Sequence, residues 1–336
     1  MIKPKKTLKR KEYSLEQYLL GIAKGDIGML GKAITLVEST KSEHQEFAQQ
    51  ILKRITPKTG KSIRIGITGV PGVGKSTFIE SFGKKITSLG KKVAVLAIDP
   101  SSEEARGSIL GDKTRMEQLS RDPLAFIRPS PTSGSLGGVA RKTRESILLC
   151  EASGYEVIII ETVGVGQSET SVHSMVDFFL LLMLPGAGDE LQGIKRGIIE
   201  MADAIAITKA DGDHLNRCKV AAEDYKRAIH LFPAKHNGWV PKVLQCSALN
   251  QEGISDVWEI ITSHNNHCIN RGTFQEKRNN QSRFWLHESI QEQLGKSFYE
   301  NEKVKTELNR LEKQVKMGTI SPFVAAHKLI SLFQSL

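Results

Sequence analysis

Eight residues constrain this chain more than any others: Gly69-Val70-Pro71-Gly72-Val73-Gly74-Lys75-Ser76. They follow the apolar run IRIGIT (63–68) and precede the helical pattern FIESFGKKI (78–86). A GxxxxGK[ST] between a strand and a helix is a phosphate-binding loop. Its glycines let backbone amides turn toward phosphates, Lys75 neutralises the β- and γ-phosphates, and the Ser76 hydroxyl ligates Mg²⁺. With Thr77, residues 69–77 form the expected cradle for a nucleotide.

The surrounding pattern fits such a loop. Apolar runs alternate with helical stretches from residue 63 onward: IRIGIT, VAVLAID (93–99), LAFIR (124–128), EVIIIET (156–162), FFLLLML (178–184), AIAIT (204–208) and KVLQCSA (242–248). Strands apolar on both sides and separated by helices predict an α/β fold, a mostly parallel sheet covered by helices on both faces. Residues 13–55 read as helical, opening on the capping box Ser14-Leu15-Glu16-Gln17. TPKTGKS (56–62) is turn-rich, and the polar stretch RGTFQEKRNNQSR (271–283) leads into charged helical pattern. The expected organisation is a basic tail and helical extension over 1–56, a P-loop core over 57–270 and a helical arm over 271–336. In the arm, Ile320, Phe323, Leu329 and Leu332 make an apolar stripe whose partner is either the core or a second subunit.

A phosphate loop needs acids at neighbouring strand ends to hold Mg²⁺ and water. Asp99 ends VAVLAID, and Glu161 ends the VIII run. ETVG (161–164) has the form of the DxxG switch, with Glu for Asp, and Gly164 would offer its amide to the γ-phosphate. Two strands later comes Thr208-Lys209-Ala210-Asp211, nearly the Asn-Lys-x-Asp that reads guanine. The Asp211 carboxylate accepts from guanine N1–H and its exocyclic amine, where adenine presents a lone pair. Buried polar groups left unpaired reject the wrong base. The Lys209 stem covers the base face, and the threonine hydroxyl takes over part of the backbone bracing that asparagine performs. Ser247-Ala248-Leu249 follows the last strand, in the order of base-reading loops.

Composition narrows the classes further. Net charge is +10, yet residues 1–12 alone carry six Lys/Arg and one Glu, and no aromatic-rich basic pattern accompanies them. Nucleic acid is therefore not the expected ligand. The longest apolar run, Phe178 to Pro185, falls far short of the roughly 18 residues of a membrane span. No apolar h-region follows the basic start, so no secretory signal is expected. Cys150, Cys218, Cys246 and Cys268 form no CxxC pair and read as reduced thiols in a cytoplasmic protein, with Cys150 packed in the core. His264-Asn265-Asn266-His267-Cys268 lacks a second cluster at zinc spacing and reads as surface residues at a helix end.

Taken together, GITGVPGVGKST (66–77), AIDPSS (97–102), GSILGDKTRM (107–116), IRPSPTSGSLGG (127–138), IIIETVGVGQSE (158–169), GDELQGIKRGIIEMAD (188–203) and TKADGD (208–213) resemble the methylmalonyl-CoA mutase-associated G proteins. That family of chaperones is also labelled as arginine/ornithine transport ATPases. The resemblance spans about 150 residues in family order, and AITLVES (33–39) matches too. It implies a P-loop GTPase core related to the nickel-insertion and signal-recognition GTPases, an N-terminal helical extension and a C-terminal arm for homodimerisation. It also implies GTP/GDP as bound nucleotide, and service to an adenosylcobalamin-dependent acyl-CoA mutase whose cobalamin belongs to that client. By motif, Ser76, Asp99, Asp112 and Glu161 are Mg²⁺-linked, and Asp189 and Lys195 lie in a third mobile loop. Lys75, Glu161 and Lys195 are then the catalytic candidates. EEAR (103–106) departs from the family's Ser/Gly-rich pattern. Ras-like GTPases carry a water-orienting glutamine after the DxxG glycine; here Val165 stands there, so hydrolysis without a partner should be slow. The alternatives are a transport-linked ATPase or kinase for basic amino acids, and a nickel-type metal-insertion GTPase.

Overall fold

A computed structural model describes residues 13–99, 116–131, 136–162, 168–185 and 196–335. Seven strands form one sheet: β1 Ile63–Gly69, β2 Val93–Asp99, β3 Ala125–Pro131, β4 Val157–Thr162, β5 Phe178–Met183, β6 Ala204–Ile207 and β7 Lys242–Gln245. All pairings are parallel, in the order β3-β2-β4-β1-β5-β6-β7. The sheet and its helices agree with the sequence reading. β4 and β5 are buried at every position. That requires cover on both faces and explains their unbroken apolar character.

Alternation along the strands divides the cover. Ile65, Ile67, Val93, Val95, Val157, Ile159, Phe178 and Leu180 pack against helix α4 (Lys75–Ser88) through Phe78 and Phe82. They also meet Val257, Trp258 and Ile261 of Ile254–Asn270. On the other parity of β1, a Cβ at Gly66 would stand 2.9 Å from Phe179 Cδ2 and Val172 Cγ1. A glycine there lets the helix Ser168–His173 approach the strand closely.

Helices α1 (Leu15–Ala23), α2 (Ile27–Glu38) and α3 (Ser42–Ile55) pack on one another and on the helix Leu136–Ala152. The capping box forms as read: Ser14 accepts from Gln17 N–H, and the Gln17 side chain accepts from Ser14 N–H.

The chain makes two compact units, Met1–Asn279 and Asn280–Leu336. The long helix Thr273–Glu300 contributes to both, and its first turns are tied into the first unit by charge. Arg278 donates through Nε to Asp177 Oδ1 (2.9 Å) and through Nη2 to Asp177 Oδ2 and the Ser62 carbonyl (2.6 Å each). Glu151 accepts from Arg64 Nε (3.0 Å), Ser62 Oγ (2.6 Å) and Gly60 N–H (2.8 Å) in the same buried cluster. The residues of this helix up to Asn279 fall in the first compact unit.

The second unit corrects the reading of its apolar stripe. Leu329 and Ala325 of Pro322–Gln334 pack on Val304 and Leu311 of Glu302–Lys316, with Ile320 and Phe333 beside them. Within this unit the stripe meets a neighbouring arm helix, a partner the sequence reading did not weigh. Phe323 is 86% exposed. Six residues from Leu329, it lies about 120° around the helix from the packed face.

Candidate nucleotide-binding site

The phosphate loop leaves the carboxyl end of β1 and enters α4 at its first turn. Gly72 (φ 79°) and Gly74 (φ 88°) are left-handed, a conformation that costs glycine least. Gly69 is required for another reason: a Cβ there would lie 2.5 Å from the Leu182 carbonyl oxygen of β5. The Lys75 ammonium lies over the loop, donating to the carbonyls of Gly69 (2.8 Å) and Val70 (3.4 Å). Burial pushes its pKa down, opposed by the charges of Glu161 and Glu169. A partly buried cation beside the first turn of a helix is suited to a polyphosphate.

Acidic groups stand beside it. Ser76 Oγ donates to Glu161 Oε1 at 3.5 Å, and Glu161 is 4% exposed at the end of β4, next to β1. One hydroxyl and one carboxylate are hard oxygen donors of the kind Mg²⁺ takes. Asp99 ends β2 on the other side of β4; its side chain, like Asp112, Gly164, Val165, Asp189 and Lys195, lies outside the described residues. Glu169, at the start of Ser168–His173, escaped the sequence reading. It is 1% exposed, and its charge acts on Lys75. Its place at the end of ETVGVGQSE was the available signal.

On the other side of β1, the loops after β6 and β7 come together. Ala210 N–H donates to the Cys246 carbonyl (3.1 Å). The buried Ser247 hydroxyl donates to Asp211 Oδ2 and accepts from Asn250 N–H (3.1 Å). Lys209 is exposed and left-handed (φ 57°), a turn that separates it from the buried Thr208 and Ala210. Thr208 Oγ1 donates to the Val73 carbonyl at 2.9 Å and lies 3.2 Å from the Met183 carbonyl. Threonine thus braces the phosphate loop. Ala248 is half-buried, whereas the Leu249 side chain is 80% exposed; only its backbone remains for a base.

The His264 group needs correcting. His264 and Cys268 are buried, 3% and 4% exposed, not surface residues. His264 packs edge-on against Phe178 and Trp239, with centroids 5.1 and 5.0 Å away, and Nε2 lies 3.9 Å from Asp203 Oδ1. The loop carrying Asn237 and Trp239 folds over this helix end, a tertiary cover invisible in local sequence. Among the described residues no three His, Cys, Asp or Glu are grouped to hold a metal, and no helix is long and apolar enough to cross a membrane. Cys150 is fully buried, as expected.

Comparison with known proteins agrees with this geometry. A family model described as "Methylmalonyl Co-A mutase-associated GTPase MeaB" matches residues 30–303. A "Putative GTPase" of Caulobacter vibrioides is 49% identical over 95% of this chain and 97% of its own. The mouse (Mus musculus) "Methylmalonic aciduria type A homolog, mitochondrial" is 46% identical over 96% of this chain and 80% of its own. A solved structure described as "Crystal structure of LAO/AO transport system kinase" superposes with a TM-score of 0.75 at 38% identity, covering 96% of this chain and 99% of that one.

Proposed function

The chain belongs to the family of methylmalonyl-CoA mutase-associated GTPases, and from that premise we propose that this GTPase couples GTP hydrolysis to the loading and protection of an adenosylcobalamin-dependent acyl-CoA mutase. The observation that carries the guanine reading is the Asp211 carboxylate, held by Ser247 at the edge of the phosphate loop's own sheet. In this reading the backbone N–H groups of 69–77 other than Pro71, together with Lys75, would bind the phosphates, and Ser76 and Glu161, with Asp99 and Asp112, would hold Mg²⁺, which when bound would supply charge neutralisation to the phosphates. Lys209, Asp211 and the 247–249 backbone select the base.

With Val165 unable to orient water, the client completes or reshapes the site, and Lys195 is the residue of the 185–197 loop that answers it. The arm makes a homodimer. Cobalamin stays with the mutase.

Calorimetry tests the base: GTP and GDP should bind at least about a hundredfold more tightly than ATP and ADP. Equal affinities would favour a transport-kinase role of the kind named for the solved relative. Turnover with and without a purified adenosylcobalamin-dependent acyl-CoA mutase tests the client. A wild-type rate that the mutase leaves unchanged, or a Lys195→Ala variant stimulated as fully as wild type, would sink the coupling.

A further inference from the structure

We propose that Thr68 and Thr162 are a positioning pair for Mg²⁺: their hydroxyls clasp β1 to β4 beyond the end of the ladder between them and so fix the spacing of Ser76 and Glu161. The inference rests on the Mg²⁺ reading of those two residues given above. Thr162 Oγ1 donates to Thr68 Oγ1 at 2.8 Å, and both residues are fully buried. Gly66, Ile158 and Ile160 share their strand faces. A buried hydroxyl without a partner is costly, whereas two valines in the same places would pack without that risk. Packing alone does not ask for hydroxyls here.

Strand pairing supplies the reason. The register between β1 and β4 ends at Ile67↔Glu161. Beyond that pair β1 stays joined to β5 through Gly69, and β4 to β2 through Thr162. The ladder between them stops where β1 becomes the phosphate loop and β4 ends within ETVG (161–164). The hydroxyl bond stands one residue past that stop. Side chains alternate across a strand, so Glu161 and Thr162 point to opposite faces. Glu161 reaches the α4 side, where Ser76 Oγ lies 3.5 Å from its Oε1. Thr68 and Thr162 close the opposite face behind it. Mg²⁺ holds its oxygens at about 2.1 Å in a near-ideal octahedron, so two adjacent ones stand about 3 Å apart. The Ser76 and Glu161 oxygens are within about half an ångström of that spacing. Ser76 travels with β1 through the phosphate loop, and Glu161 travels with β4. A clasp between those strands at this level limits how far the two donors drift apart.

The experiment follows release of a fluorescent GDP analogue from the full chain over a Mg²⁺ titration, a readout independent of turnover. Wild type is compared with Thr162→Val, Thr68→Val, the double variant carrying both, and Thr162→Ser. Valine keeps the shape and removes the hydroxyl; serine keeps the hydroxyl. Mg²⁺ should slow release from wild type. Thr162→Val and Thr68→Val should each need roughly tenfold more Mg²⁺ for the same slowing, the scale of losing a residue that supports a metal ligand. Release in EDTA should change far less. The double variant should match the single ones, because the two hydroxyls act as one bond, and Thr162→Ser should restore the wild-type midpoint. A merely structural role lowers melting temperature and quickens release equally with and without Mg²⁺. Thr162→Val and Thr68→Val midpoints equal to wild type, release in EDTA that quickens by the same factor, or a Thr162→Ser midpoint as high as that of Thr162→Val overturns the proposal. If a single variant strands the remaining hydroxyl and does not fold, the double variant, which strands none, carries the comparison. A wild type whose release Mg²⁺ leaves unchanged removes the Mg²⁺ reading itself, and is thereby distinguished from failure of the threonine pair.

Discussion

The buried Ser247 hydroxyl donates to Asp211 Oδ2, joining the loop after β7 to the loop after β6. Because Ser247 Oγ also accepts from Asn250 N–H at 3.1 Å, its own proton is directed at the carboxylate. One carboxylate oxygen is thus occupied and oriented.

Ser247→Ala removes that bond to a charged acceptor. GTP affinity should fall by about 1.5–3 kcal/mol, roughly 10- to 100-fold, with the fold intact by circular dichroism. Asp211→Asn should lose guanine nucleotides and gain xanthine nucleotides, whose added carbonyl accepts from an amide. Competition against a fluorescent GDP analogue reads both.

Gly69→Ala places a methyl 2.5 Å from the Leu182 carbonyl and 3.0 Å from Leu182 Cβ. Neither strand end can yield cheaply inside a parallel ladder. The variant should lose about 1–3 kcal/mol in urea unfolding and bind nucleotide more weakly, because β1 delivers the loop.

Arg278→Met strands Asp177 and Glu151 without one of their buried cations, and should cost about 3–5 kcal/mol of unfolding free energy. The same cluster predicts where the arm can be cut. A chain ending at Ser282 keeps Arg278 and should stay folded, bind nucleotide and run as a monomer in light scattering. A chain ending at Gly272 should not fold stably. A full-length monomer at micromolar concentration would remove the dimer claim.

Acid should destabilise the protein through His264. Burial pushes its imidazole down to about 4, against the pull of Asp203; an unfolded histidine titrates near 6.5. Between those values the unfolded chain binds the extra proton, so stability rises with pH across that window. It is intact above about 6.5 and falls as pH drops toward 4. Asp203, where burial is overcome by Lys277 and Lys235, sits at about 2, and its contribution is lost only below its ordinary carboxylate range. His264→Phe should flatten the slope of urea midpoints between pH 6.5 and 4, provided the variant folds.

Much of this was legible in order along the chain. The phosphate-loop motif is consecutive, 69–77, and its spacing alone encodes a loop, because glycine conformations and a helix start are local properties. The strands read correctly because burial on both faces leaves continuous apolar runs, as in Val157–Ile160 and Phe178–Met183. The capping box at Ser14 is likewise local.

What failed depended on distant segments. His264 and Cys268 look like a polar helix end until the Asn237–Trp239 loop is laid over them. Phe323 looked like part of the stripe that Leu329 buries, but which side of an amphipathic helix is covered depends on the neighbour that arrives, here Glu302–Lys316. The sequence by itself determined the α/β class and the phosphate-loop motif, since each is written in contiguous or periodic positions. Only the tertiary structure decided that Thr208 reaches Val73 across 135 positions, that Glu169 acts on Lys75, and that Arg278 closes a charge cluster with Asp177, 101 positions away. Those contacts depend on parallel strand order, which brings residues far apart in the chain together, Thr208 and Glu169 at the carboxyl ends of the strands and Asp177 at their amino ends, and no local pattern records it.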